Sequence, residues 1–310
     1  MQTFTSTSLN QYNSCPRRYY YEYFLELDKY SPTLIHRDSE PLIFGSHAHR
    51  LLEQYHTRGS YSSDGVPTRL CPAMIALMDA YVRKNEFSNE PKLEFIATEQ
   101  ELGVHLITDA GEFKLLGKVD GIVEYLGRTW VLDNKTSTFE LKDTDKYLLH
   151  QQTNIYCCLA EANGIDKIEG TIINFLRQPT LSRVDKRKKI QEIVSDDQFR
   201  QRIYDDILKR EDTYLKRVEL PRVNGEVREA IKDVIDLISH IKLSETSGYW
   251  RKNPAACNEY RSACEWQPLC LSIFTVDEIP KRQVKHVELK ASEITCPVID
   301  WRTKKYEVLF

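Results

Sequence analysis

Leu115-Leu116-Gly117-Lys118-Val119-Asp120-Gly121-Ile122-Val123-Glu124 and Thr129-Trp130-Val131-Leu132-Asp133-Asn134-Lys135-Thr136 decide how this chain folds. Both runs are rich in β-branched and large apolar residues, and Leu126-Gly127-Arg128 between them reads as a turn. Each strand carries an acid where another apolar residue is expected. Side chains alternate faces along a strand. With Leu126-Gly127 as the central turn residues, Asp120 lies directly opposite Asp133. With Gly127-Arg128 at the centre, Asp120 lies opposite Lys135 and diagonal to Asp133. Either register gathers Asp120, Asp133 and Lys135 on one face, with Cβ atoms about 5–8 Å apart; a three-residue loop breaks the parity. Two carboxylates that close repel unless a cation sits between them, and the natural guest is a hard divalent cation on oxygen ligands. Lys135 then points at a water on the cation or at a phosphate oxygen. The competing reading is a solvated hairpin face, because a lone D-x-K is common by chance.

The chain has 310 residues, 41% hydrophobic and 10% aromatic, enough for one large domain or two small ones. The net charge of -3 excludes a polybasic coat, so any nucleic acid must be held in a local groove. Met1 to Leu9 has neither a basic nor an apolar signal region, and no apolar run approaches the ~20 residues that span a bilayer. The expected compartment is cytoplasmic. There the eight cysteines should be thiols or metal ligands.

Taken in order, Ser8 with Gln11 reads as a capping box, and Pro16 suits the first turn of a second helix carrying Arg17, Arg18 and a tyrosine run. Residues 42–58 read as a helix with Ala48, Leu51, Leu52 and Tyr55 as its apolar stripe. His49 borders that stripe, where a hydrogen-bonded core-edge histidine is the commoner outcome. Gly45, four residues earlier, allows close approach of another backbone. Residues 59–90 read as a loop and a packing helix, and 94–107 as a strand whose Glu99 either faces solvent or supports the acids. A helix over 143–162 puts Gln152 and Tyr156 on one face. Ile168 to Leu176 is a buried strand ending at Arg177, so strand–strand–helix–strand gives an α/β order. Residues 182–218, with the basic run Lys186-Arg187-Lys188-Lys189, read as a solvated helical face. Residues 225–242 form an amphipathic helix.

The late cysteines Cys257, Cys264 and Cys270 are spaced C-x6-C-x5-C on a loop-like segment and need a fourth ligand, for which Cys15 is the best candidate. Four thiolates hold zinc or an iron–sulfur cluster. The tight paired knuckles usual in zinc sites are missing, and the long Cys15-to-Cys257 separation favours the cluster. Cys157 and Cys158 read as core thiols.

Together these stretches resemble a RecB-type exonuclease of the PD-(D/E)XK superfamily, in the iron–sulfur branch that includes CRISPR-associated exonucleases, AddB-like helicase-nucleases and many phage nucleases. The matching motifs run in the family's order. They are Ser8-Leu9…Tyr12…Cys15-Pro16-Arg17-Arg18-Tyr19, Gly45-x-x-x-His49…Leu52-Glu53, Gly117-Lys118-Val119-Asp120, Asp133-Asn134-Lys135-Thr136, Gln152-x-x-x-Tyr156 and the late cysteines. The first gap in the cysteine spacing is longer than the family's commonest C-x2-C-x5-C. The resemblance implies an α/β nuclease core, a central mixed sheet flanked by helices, as one domain over residues 1–275. It has helical additions at about 30–95 and 180–245 and a C-terminal extension at 276–310. It implies His49, Asp120, Asp133 and the Asn134 carbonyl as ligands of Mn²⁺ or Mg²⁺, with Lys135 activating water. Gln152 and Tyr156 contact the substrate backbone or orient Lys135. It implies a [4Fe-4S] cluster on Cys15, Cys257, Cys264 and Cys270 that clips the two ends of the domain together. The expected substrate is DNA, preferably single-stranded ends, met by Arg17, Arg18 and Arg177. Recombination or CRISPR proteins are the expected partners, with no membrane. A non-catalytic iron–sulfur DNA- or partner-binding protein and an endonuclease are the alternatives.

Overall fold

The computed structural model describes residues 1–28, 40–140, 151–184, 194–222, 224–261, 263–281 and 294–303. The N-terminal part comprises β1 (Gln2–Thr5), α1 (Ser6–Ser14), α2 (Pro16–Tyr19) running into a π-helical turn (Tyr20–Phe24), α3 (Glu40–Arg58) and α4 (Cys71–Phe87). The centre follows as β2 (Glu94–Thr108), β3 (Gly111–Tyr125), β4 (Arg128–Ser137), α5 (Gln151–Ala162) and β5 (Ile168–Arg177). Then come α6 (Asp196–Lys209), α7 (Glu211–Tyr214), β6 (Leu215–Pro221), α8 (Asn224–Ser247), α9 (Gln267–Cys270) and β7 (Val298–Asp300).

The strands form one seven-stranded mixed sheet in the order β6-β5-β4-β3-β2-β7, with β1 paired to β3. The β2–β3, β3–β4 and β5–β6 pairs are antiparallel, and β4–β5 is parallel through the α5 crossover. This is the expected α/β architecture, a central mixed sheet flanked by helices. One layer packs α5 and α8 (Ile155, Leu159, Ile231, Ile238) over Val119, Ile122 and Val131. The other packs α3, α4 and α6 (Phe44, Leu51, Met74, Leu77, Ile203) near Leu176 and Leu215.

The central hairpin turns on Leu126-Gly127. Both residues have positive φ, 54° and 72°, and Tyr125 pairs with Arg128. That is the twist a two-residue hairpin needs, and it selects the register with Asp120 across from Asp133.

The first capping box is Thr5 with Ser8 rather than Ser8 with Gln11. Thr5 keeps extended backbone and its hydroxyl accepts from the Ser8 N–H, so α1 begins one turn earlier than expected. Pro16 opens α2 as expected. The strands β1, β6 and β7 were not read from the sequence. β6 and its neighbour α7 lie in the stretch expected to be a helical face. The basic run 186–189, residues 143–150 of the expected helix, and parts of the 30–95 addition and the 276–310 extension lie outside the described residues. Among the described residues no helix is long and apolar enough to cross a membrane.

Candidate active site

The site begins where β3 and β4 part. Their ladder ends at the Gly121–Leu132 pair, one residue short of Asp120 and Asp133. On the N-terminal side of this point the same edge of β3 takes up β1, from Phe113 to Leu116. The gap leaves backbone groups without strand partners. Asp120 fills it: Oδ2 accepts the Asn134 backbone N–H at 2.6 Å. Side chains from both helical layers converge on this opening.

From α3, His49 Nδ1 lies 3.3 Å from Asp120 Oδ1. Gly45, one turn earlier, makes that approach possible. A Cβ at Gly45 would stand 2.8 Å from Thr136 Oγ1, so α3 rests on a side chain of β4 rather than on its backbone. Lys135 Nζ stands 2.8 Å from Asp133 Oδ2 and donates to Gln152 Oε1 of α5 at 2.9 Å. Gln152 Nε2 in turn donates to the Tyr156 hydroxyl at 2.8 Å.

Electrostatics follow from burial in this gap. Burial raises the Asp133 carboxyl and the Asp120 charge adds to it, against the opposing pull of Lys135. Burial opposes charge on Lys135, but the Asp133 carboxylate outweighs it and the ammonium is favoured. For His49, burial is outweighed by the hydrogen bond and charge of Asp120 together with Asp133 and Glu99, and its pKa rises. Glu99, at φ 49° on β2, is paired with Lys118 at 2.5 Å and adds to the acidic field at Asp120.

The sequence reading missed a polar layer behind the acids. Asn174 on β5 lies in register with Asn134, and both are buried. Asn174 Nδ2 donates to Asn134 Oδ1 (3.1 Å) and to the Tyr81 hydroxyl of α4 (2.9 Å). Tyr81 in turn meets His56 Nε2 of α3 at 3.0 Å. The signal was present: Asn174 interrupts an apolar buried strand just as Asp120 and Asp133 do. Ser6 is a second missed contributor, buried in the first turn of α1 and hydrogen-bonded to Tyr156.

The donor set of one imidazole, two carboxylates and a strand carbonyl suits a divalent cation. Asp133 Oδ2 is buried with no well-aligned hydrogen bond, and the Lys135 ammonium is the cation beside it. As the side chains stand they form two pairs, His49–Asp120 and Asp133–Lys135. Among the described residues no three His, Cys, Asp or Glu groups are drawn together closely enough to hold a metal ion.

That statement covers the cysteines as well. Cys15, Cys257, Cys264 and Cys270 are free thiols that all line one cavity of about 400 Å³, with Arg18, Lys252 and Trp266. Burial pushes the Cys264 and Cys270 thiols up. Cys157 and Cys158 are buried core thiols, as expected. Arg17 Nε donates to the Trp250 carbonyl and its guanidinium lies over Tyr20, while Arg18 pairs with Glu265. Both therefore belong to the cysteine loop and its aromatic packing. Arg177 lies over the Tyr214 ring at the end of β5, in register with Ser137.

The family model described as PD-(D/E)XK nuclease superfamily matches residues 3–271. No curated protein matches. A solved structure titled "Crystal structure of SSO0001" is similar at 21% identity, covering 76% of this chain and 85% of that one. The TM-score of that match is 0.28.

Proposed function

Because this chain belongs to the PD-(D/E)XK nuclease superfamily, we propose that it is a metal-dependent DNA exonuclease of the RecB-type iron–sulfur branch, acting on single-stranded ends. Nucleases of this superfamily typically use Mg²⁺ or Mn²⁺. The observation that carries the reading is the meeting of Asp120, Asp133 and Lys135 at one strand gap, beneath a histidine from α3. His49, Asp120, Asp133 and the Asn134 carbonyl would hold the cation; an imidazole beside carboxylates suits Mn²⁺. A cation bound there supplies positive charge at the scissile phosphate and lowers the pKa of the attacking water. The Asn134 N–H fixes one oxygen of Asp120 and leaves the other beside His49. The Asp133 carboxylate beside it favours the Lys135 ammonium, which would donate to the phosphate or orient the attacking water. Gln152 holds Lys135, and Tyr156 and Ser6 hold that arrangement from α5 and α1.

Single-stranded substrate is supported by the net charge of -3, which disfavours coating a duplex. Aromatic surface at the N-terminal helix also supports it, since stacking on aromatics holds bases of any sequence. Phe24 is about half exposed there, beside Tyr20 and Trp250. The iron–sulfur reading rests on the four cysteines sharing one cavity.

The test is a covalently closed single-stranded DNA circle beside its linear form, each with Mn²⁺. Loss of the linear form alone, abolished in a folded Asp133→Ala variant, is the expected result. Equal cutting of both forms makes the protein an endonuclease. Full activity of Asp133→Ala removes the site assignment.

A further inference from the structure

His49 and His56 are seven residues apart on α3, which returns them to nearly the same side of the helix about 10 Å along its axis. His49 reaches Asp120 at 3.3 Å. His56 reaches the Tyr81 hydroxyl at 3.0 Å. Between those contacts runs an unbroken path through the sheet: Tyr81 to Asn174 (2.9 Å), Asn174 to Asn134 (3.1 Å), and the Asn134 N–H to Asp120 (2.6 Å). Hydrogen bonds and one stretch of helix therefore close into a circuit.

The donors and acceptors have one consistent order. Asn174 has two amide protons and gives one to Asn134 Oδ1 and one to the Tyr81 oxygen. The Tyr81 proton is then free for His56 Nε2. His56 is half-buried and stacked on Phe95, with ring centroids 4.0 Å apart. Burial, helped by the Arg217 charge, holds it neutral and thus an acceptor. Asn85 Nδ2 donates to the Tyr81 carbonyl and itself accepts from Arg217, bracing the backbone that carries Tyr81.

Two buried asparagines facing each other inside a sheet are costly, since an apolar pair would need no partners. Tyr81, Asn134 and Asn174 are each at least 95% buried, so solvent does not offset that cost. The path ends on the one residue whose backbone both binds Asp120 and carries the carbonyl assigned to the cation.

We propose that Asn174 and Tyr81, with His56 behind them, are positioning residues that lock α3 to β4 and so fix His49, Asp120 and the Asn134 carbonyl relative to one another. The proposal rests on the nuclease reading for the identity of the site, and its test separates the two. Asn174→Ala should lower kcat at least about tenfold with KM for DNA little changed, because the defect is in alignment and not in substrate contact. It should also weaken Mn²⁺ binding, measured by calorimetry without DNA, by about tenfold. Tyr81→Phe keeps the ring and the fold and should move both quantities the same way, by less. Combining Asn174→Ala with Asn134→Ala should cost no more than the worse single change, because one path is cut twice. Additive effects overturn the proposal, as does a folded Tyr81→Phe or Asn174→Ala protein with unchanged kcat and Mn²⁺ affinity. A wild-type protein that binds Mn²⁺ but leaves DNA intact removes the nuclease reading alone, and the calorimetric comparison still decides the positioning role.

Discussion

At the scale of single residues, burial decides which groups are charged. Lys135 and Asp133 share a desolvated gap, and each keeps its partner's charge affordable. His56 has no such partner. Burial, and after it the Arg217 charge, lowers its pKa to about 4, against the ordinary 6.5. A depressed histidine favours the folded state less as pH falls: between about pH 6.5 and 4 the unfolded chain takes up a proton that the folded chain refuses. From pH 7 to pH 5 this single site should cost about 2 kcal/mol of stability. The measurement is urea unfolding at both pH values for the wild type and for His56→Phe, which keeps a ring against Phe95. The variant should lose distinctly less stability over that interval. An equal loss in both proteins would mean that His56 takes up its proton as readily in the folded chain as in the unfolded one.

At the scale of elements, the placing of α3 is the sensitive step. A glycine inside a helix normally costs about 1 kcal/mol relative to alanine, so Gly45→Ala should stabilise an unconstrained helix. Here the added methyl would meet Thr136 Oγ1 at 2.8 Å, on the residue next to Lys135. Gly45→Ala is therefore expected to lower nuclease activity, with the helix moved off β4. Thr136→Ala, which removes that oxygen, should restore much of the loss. Activity and melting temperature of the two single variants and the double variant measure the coupling; no rescue would place the constraint elsewhere. The same example shows what a sequence gives up readily. The hairpin was legible because alternation and a Leu126-Gly127 turn fix parity, and that parity carries Asp120, Asp133 and Lys135 to one face. Long periodic segments such as α3 and α8 were legible for the same reason. β6 was not: Leu215–Pro221 is charged and only partly buried, and it is a strand because β5 offers it an edge. The short strands β1 and β7 likewise form through tertiary pairing that no local pattern records. Asn174 escaped because its meaning lies across the strand, opposite Asn134.

At the scale of the whole molecule, the N-terminal helices and the late cysteine loop are held together before any cluster is considered. Arg17 N–H donates to the Arg251 carbonyl at 3.0 Å, and Asn253 Nδ2 donates to the Ser14 carbonyl at 2.7 Å. Tyr12, Tyr19 and Tyr20 pack on Trp250, and Tyr21 packs on Trp266. This packing brings Cys15 to the cavity lined by Cys257, Cys264 and Cys270. Burial raises the Cys264 and Cys270 thiols, so on the proposed iron–sulfur reading cluster loading would displace protons, and uptake should be favoured at higher pH. A covalent tie between positions so distant in sequence restricts the unfolded chain by on the order of 5 kcal/mol in the loop-entropy picture. Protein made and purified without oxygen should therefore be brown and contain iron and sulfide in near-equal amounts. Cys15→Ser and Cys264→Ser should each be colourless and unfold at markedly lower urea concentration. Because the aromatic packing remains, these variants should still show the far-ultraviolet signature of the folded sheet at low temperature. Cys157→Ser changes a core thiol outside the cavity and should keep the colour. Stoichiometric zinc without iron or sulfide would reassign the cavity as a zinc site. Neither metal in anaerobically purified wild-type protein would leave the aromatic and backbone contacts as the whole of the clip.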